Sequence, residues 1–152
     1  KGVLPCNEIN SRFKGNINIK ANDNLYSCEI VKSSPSTIYI KFTSPKELEN
    51  ITYEIKNDCS IVSYNNLKYE KNNNIFYDNS FITSLVDILN FISLNDNELN
   101  FIKTKDKSSE YNGVVNNKSF KVFVNCDTGF IDKIEVEQDN FIAEFCNLSN
   151  ID

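Results

Sequence analysis

Cys6, Cys28, Cys59, Cys126 and Cys146 are the softest ligands and strongest nucleophiles in this 152-residue chain, and no histidine accompanies them. Imidazole is the usual general base near neutral pH and the commonest metal ligand, so its absence removes several chemistries together. The thiols are widely spaced and form no CxxC pair, which leaves a zinc site without its half-sites. Without His, an activated Ser, Cys or Thr needs a Lys or a carboxylate of raised pKa beside it, and neither GxSxG nor SxxK occurs to pair them. Gly2, Gly15, Gly113 and Gly129 stand too far apart for a phosphate-cradling loop. Glu135 and Glu137 have a spacing compatible with glycosidic-bond chemistry, yet they alternate with Ile134 and Val136 and read as the solvated face of a strand. The surroundings of Asp58, Asp78 and Asp106 lack the EF-hand spacing. The expectation is a non-enzymatic chain without metal or cofactor.

Charge narrows the partners. The 16 Lys and Arg against 21 Asp and Glu give a net charge of −5, with the lysines scattered rather than striped, so nucleic acid is not an expected partner. No apolar run approaches the eighteen or so residues of a membrane span, and no secretory apolar segment is present, so the sequence reads as a mature or trimmed fragment. Cys28 alternates with Ile30, and Cys126 with Val122 and Val124, which makes both read as small buried hydrophobes on strand faces. A disulfide such as Cys126 to Cys146 stays open for an oxidising compartment, and the odd count leaves at least one thiol over.

The elements that would position these groups are mostly strands. Phe13, Ile17 and Ile19 alternate with polar residues, as do Tyr26, Cys28 and Ile30, then Ile38, Ile40 and Phe42, then Ile51, Tyr53 and Ile55, then Ile61 to Tyr64. Asn-rich clusters, among them Asn72 to Asn74 and Asn116-Asn117, punctuate them, since Asn tolerates positive φ. After Asn79 the period changes. Phe81, Ile82, Leu85, Val86, Ile88, Leu89 and Ile92 fall on one helical face, predicting an amphipathic helix over about 80–92 capped by Asn79 or Ser80. Residues 95–110 read as an irregular polar link anchored by Leu99, Phe101 and Ile102. Strands resume at Tyr111–Val115, Ser119–Asn125, Ile131–Glu137 and Phe141–Cys146. A short helix over Pro5–Arg12 is expected ahead of the first strand.

The run from Ile38 through Phe42-Thr43-Ser44-Pro45 to Leu48-Glu49-Asn50-Ile51-Thr52-Tyr53 is a strand, a Ser-Pro stop, a Leu and a strand restarting at Ile-x-Tyr. It resembles the LolA-like family, in whose Gram-positive lipoprotein branch the strand ends in Phe-x-Ser/Thr-Pro and continues through Leu-x-Gly-Leu-x-Tyr. Asn50 stands where that glycine would be, a mild change because Asn adopts φ > 0 readily. The order of later segments also fits: Ser63-Tyr64-Asn65-Asn66-Leu67, the helix from Ser80, Asp127-Thr128-Gly129-Phe130-Ile131 and the closing strand Phe141–Asn147, so that the resemblance covers residues 13–147 of a single domain spanning 1–152. It implies a mainly β fold with α (α+β): a curved antiparallel sheet forming an unclosed half-barrel, covered by the main helix and the short N-terminal one. The strand-borne arginine of the periplasmic carriers has no match, since Arg12, the only arginine, precedes the first strand.

What the resemblance further implies is an extracytoplasmic domain tethered to the outer face of the cell membrane by an N-terminal lipid anchor upstream of Lys1, Pro5 making Cys6 a poor anchor. Its apolar ligand, a lipid or acyl chain, would lie between sheet and helix, against Ile38, Ile40 and Phe42 on one side and Leu85, Ile88, Leu89 and Ile92 on the other. A helix of about thirteen residues covers only about 20 Å of sheet, so either a cavity remains or side chains fill it. The alternative expectation is a cell-envelope protein-interaction domain with a filled core.

Overall fold

A computed structural model describes residues 8–56, 59–71 and 80–151. Six strands come first: β1 (Phe13–Ala21), β2 (Asn24–Ser34), β3 (Thr37–Ser44), β4 (Thr52–Lys56), β5 (Cys59–Tyr64) and β6 (Leu67–Lys71). The helix α1 (Ser80–Asn95) follows, then β7 (Asn100–Lys105), β8 (Ser108–Val115), β9 (Lys118–Asn125), β10 (Ile131–Val136) and β11 (Phe141–Ser149). All eleven strands belong to one sheet, ordered β6-β5-β4-β3-β2-β1-β11-β10-β9-β8-β7, and every pairing is antiparallel. Two meanders therefore meet at a seam between the first strand and the last. β6 and β7 end the order on opposite sides, so the sheet is not closed.

One face of the sheet is apolar and buried. Ile17 and Ile19 of β1, Cys28 and Ile30 of β2, and Ile38, Ile40 and Phe42 of β3 all point into the same core as Phe120, Val122 and Val124 of β9. Helix α1 lies against this face with Ile82, Leu85, Val86, Ile88, Leu89 and Ile92 turned inward. At its start the Phe81 ring sits 6.3 Å from Phe42 and 6.2 Å from Phe141, and nearer its end Phe91 packs edge-on against Phe120 at 5.9 Å. The alternating strands and the helical stripe expected from the sequence thus bury against each other, as amphipathic elements must.

Several turns rest on left-handed backbone that Asn and Asp accept. Asn22-Asp23, Asp106-Lys107 and Asn116-Asn117 each supply two consecutive positive φ values, the signature of a tight hairpin. In the turn from β9 to β10, Asn125 Oδ1 accepts the backbone N–H groups of Asp127 and Thr128 at 2.9 and 3.1 Å, and Gly129 completes it at φ 77°.

The structure corrects four sequence expectations. The described part of the segment expected to be an N-terminal helix, residues 8–12, carries no helix; it is held by Asn10 N donating to Gly129 O and by Arg12 Nε donating to Ser33 O, while Pro5–Asn7 lie outside the described residues. Helix α1 runs on to Asn95, past the expected end at 92. Residues 95–110 are not an irregular link: a 3-10 turn at Asp96–Glu98 leads into β7 and the start of β8. Glu137 lies past the end of β10, in a 3-10 turn. β7 has no readable alternation because it is an edge strand exposed at all but Thr104.

Asn50 has φ 73°, the left-handed conformation that the glycine of the family pattern would adopt, with its N–H donating to Phe42 O at 2.9 Å. Replacing it with Gly is expected to change stability by less than about 1 kcal/mol, because easier geometry offsets the added freedom of the unfolded chain. Asn50→Val, whose branched side chain resists this region, is expected to lose about 1–2 kcal/mol, as chemical denaturation will show.

Candidate functional site

The seven residues expected to touch a ligand are brought together, but as packed core. Ile38, Ile40 and Phe42 stand in register along β3, Leu85, Ile88, Leu89 and Ile92 face them from α1, and none is more than 2 % exposed. At that exposure the seven side chains belong to the buried core between helix and sheet.

The helix is also pinned at its polar margin. Lys118, at the start of β9, donates to Asp139 Oδ2 at 2.8 Å and to Ser84 Oγ at 3.3 Å, and Ser84 Oγ in turn lies 3.3 Å from Asp139 Oδ2. This places a serine hydroxyl beside a lysine, a pairing no sequence motif announced. The ammonium is committed to the Asp139 carboxylate, so the trio works as a clasp between α1, β9 and the turn after β10. One helical turn on, Asn116 Nδ2 donates to Asp87 Oδ2 at 2.8 Å. Burial raises the Asp87 carboxyl above its usual range, opposed by this hydrogen bond and by the charge of Lys118.

Cys28 and Lys32 sit inside the apolar face. Burial pushes the Cys28 thiol up to about 12, which keeps it protonated and unreactive. Lys32 is fully buried beside its cross-strand neighbours Phe13 and Ile38, and its Nζ donates to Ser34 O at 2.7 Å. Desolvation lowers its ammonium to about 8. The period-two pattern of Tyr26, Cys28 and Ile30 continues to Lys32, so its inward placement is legible in the sequence.

The outer face of the sheet is polar and cross-braced. Register aligns Asn18, Glu144, Lys133, Phe123, Glu110 and Lys103 across six strands. Lys133 pairs with Glu135 at 3.1 Å and lies over the Phe123 ring at 4.6 Å. Glu135 and Glu137 border a shallow trough of about 510 Å³ with Asn112, Lys121 and Gln138, open to water rather than enclosed. Cys126, read as a buried hydrophobe, is disulfide-bonded, while Cys28, Cys59 and Cys146 are free. A Cys126 to Cys146 bridge is therefore not formed.

Lys32 and Cys28 give stability opposite pH dependences. The folded protein releases the Lys32 proton near 8 and the unfolded chain near 10.5, so this group makes stability rise with pH through that window. Cys28 is protonated to about 12 when folded against 9.0 when unfolded, so it makes stability fall above about pH 9. Lys32→Met keeps the volume and removes the charge. It is expected to stabilise the protein at pH 7 by up to about 3 kcal/mol and to abolish the rise between pH 8 and 9, checked by urea denaturation across pH.

No protein-family model matches the sequence, and no curated protein matches it. Among solved structures, a chain of the complex of the CwlD amidase from Clostridioides difficile with the GerS lipoprotein is similar at a TM-score of 0.59 and 17% identity, over 92% of this chain and 87% of that one. A LolA superfamily protein from Nitrosomonas europaea is similar at a TM-score of 0.46 and 10% identity, over 93% of this chain and 86% of that one. The architecture implied by the sequence resemblance, an unclosed antiparallel sheet wrapped over a helix, is the one observed, and the likeness to the amidase–lipoprotein complex is one of fold.

Proposed function

We propose that this chain is a non-enzymatic, extracytoplasmic domain whose task is to bind a protein partner, rather than to carry an acyl chain. The observation that carries this reading is the burial of the interface between α1 and the sheet, where all seven residues expected to contact lipid are at most 2 % exposed. The polar outer face leaves the surface as the place for recognition. The disulfide at Cys126 supports an oxidising compartment, while a position at the outer face of the cell membrane, held by an N-terminal lipid anchor, rests on the sequence resemblance. The fold likeness to a chain from an amidase–lipoprotein complex supports a partner-binding role by analogy.

An apolar ligand remains the competing reading, and it is directly measurable. Native mass spectrometry of protein purified without detergent, followed by organic extraction, is expected to give bare polypeptide, with no gain in fluorescence from an added apolar dye. A co-purifying acyl species would overturn the protein-binding reading in favour of a lipid carrier.

A further inference from the structure

Three recesses open on the outer face of the sheet, and together they make one course across it. The first, of about 370 Å³, lies over β2, β1 and β11, and the second, of about 460 Å³, shares Asn18 and Glu144 with it. The third is the trough of about 510 Å³ bordered by Glu135 and Glu137, and it meets the second where Lys133 pairs with Glu135. From β2 to β8 the course crosses five strand spacings, about 24 Å.

Its floor offers side chains rather than backbone. Every strand beneath it has a neighbour on both sides, so the main-chain N–H and C=O groups are committed to the ladders and an extended peptide finds no edge to join. The charges along it are of both signs, Lys20, Lys133 and Lys121 against Glu144, Glu135 and Glu137, and they cancel in a protein of net charge −5. Lys133 and Glu135 hold each other. Lys20, Glu144, Lys121, Glu137 and the Asn112 amide make no side-chain hydrogen bond or ion pair among the described residues. At the two ends of the course stand exposed apolar side chains, Leu25 at 72 % and Val114 at 58 %.

We propose that this outer trough is a binding site for an uncharged saccharide chain. A hydroxyl both donates and accepts, so a run of hydroxyls satisfies ammonium, amide and carboxylate in whatever order they come. A polyanion or a polycation meets unlike and like charges in turn, and its gains and losses cancel. The C–H faces of sugar rings are apolar, and Leu25 and Val114 give them surface to cover at either end. A second copy of this chain would lay a sheet face across the recesses rather than fill them, so the shape favours a thin occupant. Such a ligand is additional to the protein partner, and its binding does not rest on that reading.

The test titrates the whole isotope-labelled chain with cellohexaose, maltohexaose and N-acetylated chitohexaose, read by amide chemical shifts. Hexagalacturonate and the deacetylated chitosan hexamer serve as anionic and cationic controls. At least one neutral hexamer is expected to bind with Kd below about 1 mM, little changed by salt, shifting amides of β1 and β8 to β11 together with the Asn112 side chain. The double variants N112A/K121A and K20A/E144A, at opposite ends of the course, are each expected to weaken it at least about fivefold without changing Tm. Kd above about 1 mM for all three neutral hexamers, shifts confined to other parts of the chain, or binding as tight by either charged hexamer would overturn the proposal. Unchanged binding by either folded double variant would overturn it too, and if a variant fails to fold, the shift map of the parent chain decides. A dimer that forms with rising concentration and excludes the sugar would give the face to a second copy instead.

Discussion

The structure depends on one geometric demand, that the chain must pass from one edge of an eleven-stranded sheet to the other. Ten strand spacings amount to roughly 48 Å measured along the sheet. The 16-residue helix within that link is only about 24 Å long. A bent sheet shortens the distance, and a helix on the inside of the bend then lies against its apolar face. The apolar stripe from Phe81 to Ile92 and the inward residues of β1, β2, β3, β9 and β11 are the two halves of that agreement.

How much of this the sequence shows follows from burial. Strands with one face against the core, such as β1 and β3, have a period of two that can be read directly, and α1 has its 3.6-residue stripe. β7 is nearly all exposed, and exposure erases the pattern from which strands are recognised. The N-terminal helix was expected from a stretch barely two turns long, where tertiary contacts to Gly129 and Ser33 decide the outcome instead. The set of residues facing the helix–sheet interface was legible residue by residue. Whether they enclosed space was not, because an Ile that lines a cavity and one that fills it occupy the same place in an alternating pattern.

The buried face is not uniformly apolar, and the exceptions share a pattern. Ser84 at the margin reaches a clasp partner, whereas Lys32 lies deep with a backbone carbonyl two residues away as acceptor. Burying a cation on a single neutral acceptor destabilises the fold. The chain tolerates it because the rest of that row, Phe13, Ile38 and Ile55, is fully packed. The outer face follows the opposite rule, with lysines and carboxylates brought into register across strands where water screens what they do not neutralise.

The pairing of β1 with β11 joins Lys14 to Ser149 and Ala21 to Phe141, residues separated by nearly the whole chain. On a ribosome, or threading through a translocation pore from its N-terminus, the chain releases β1 first and β11 last. Until the final strand arrives, β1 has one neighbour instead of two, and the half-sheet β1–β6 carries an open edge at what will become the middle of the molecule. The exposed apolar face of that unfinished half is the surface a holding chaperone would meet, and nascent chains stalled before Phe141 would stay in that condition. The residues of β11 are thus the ones that turn two hairpin arrays into one sheet.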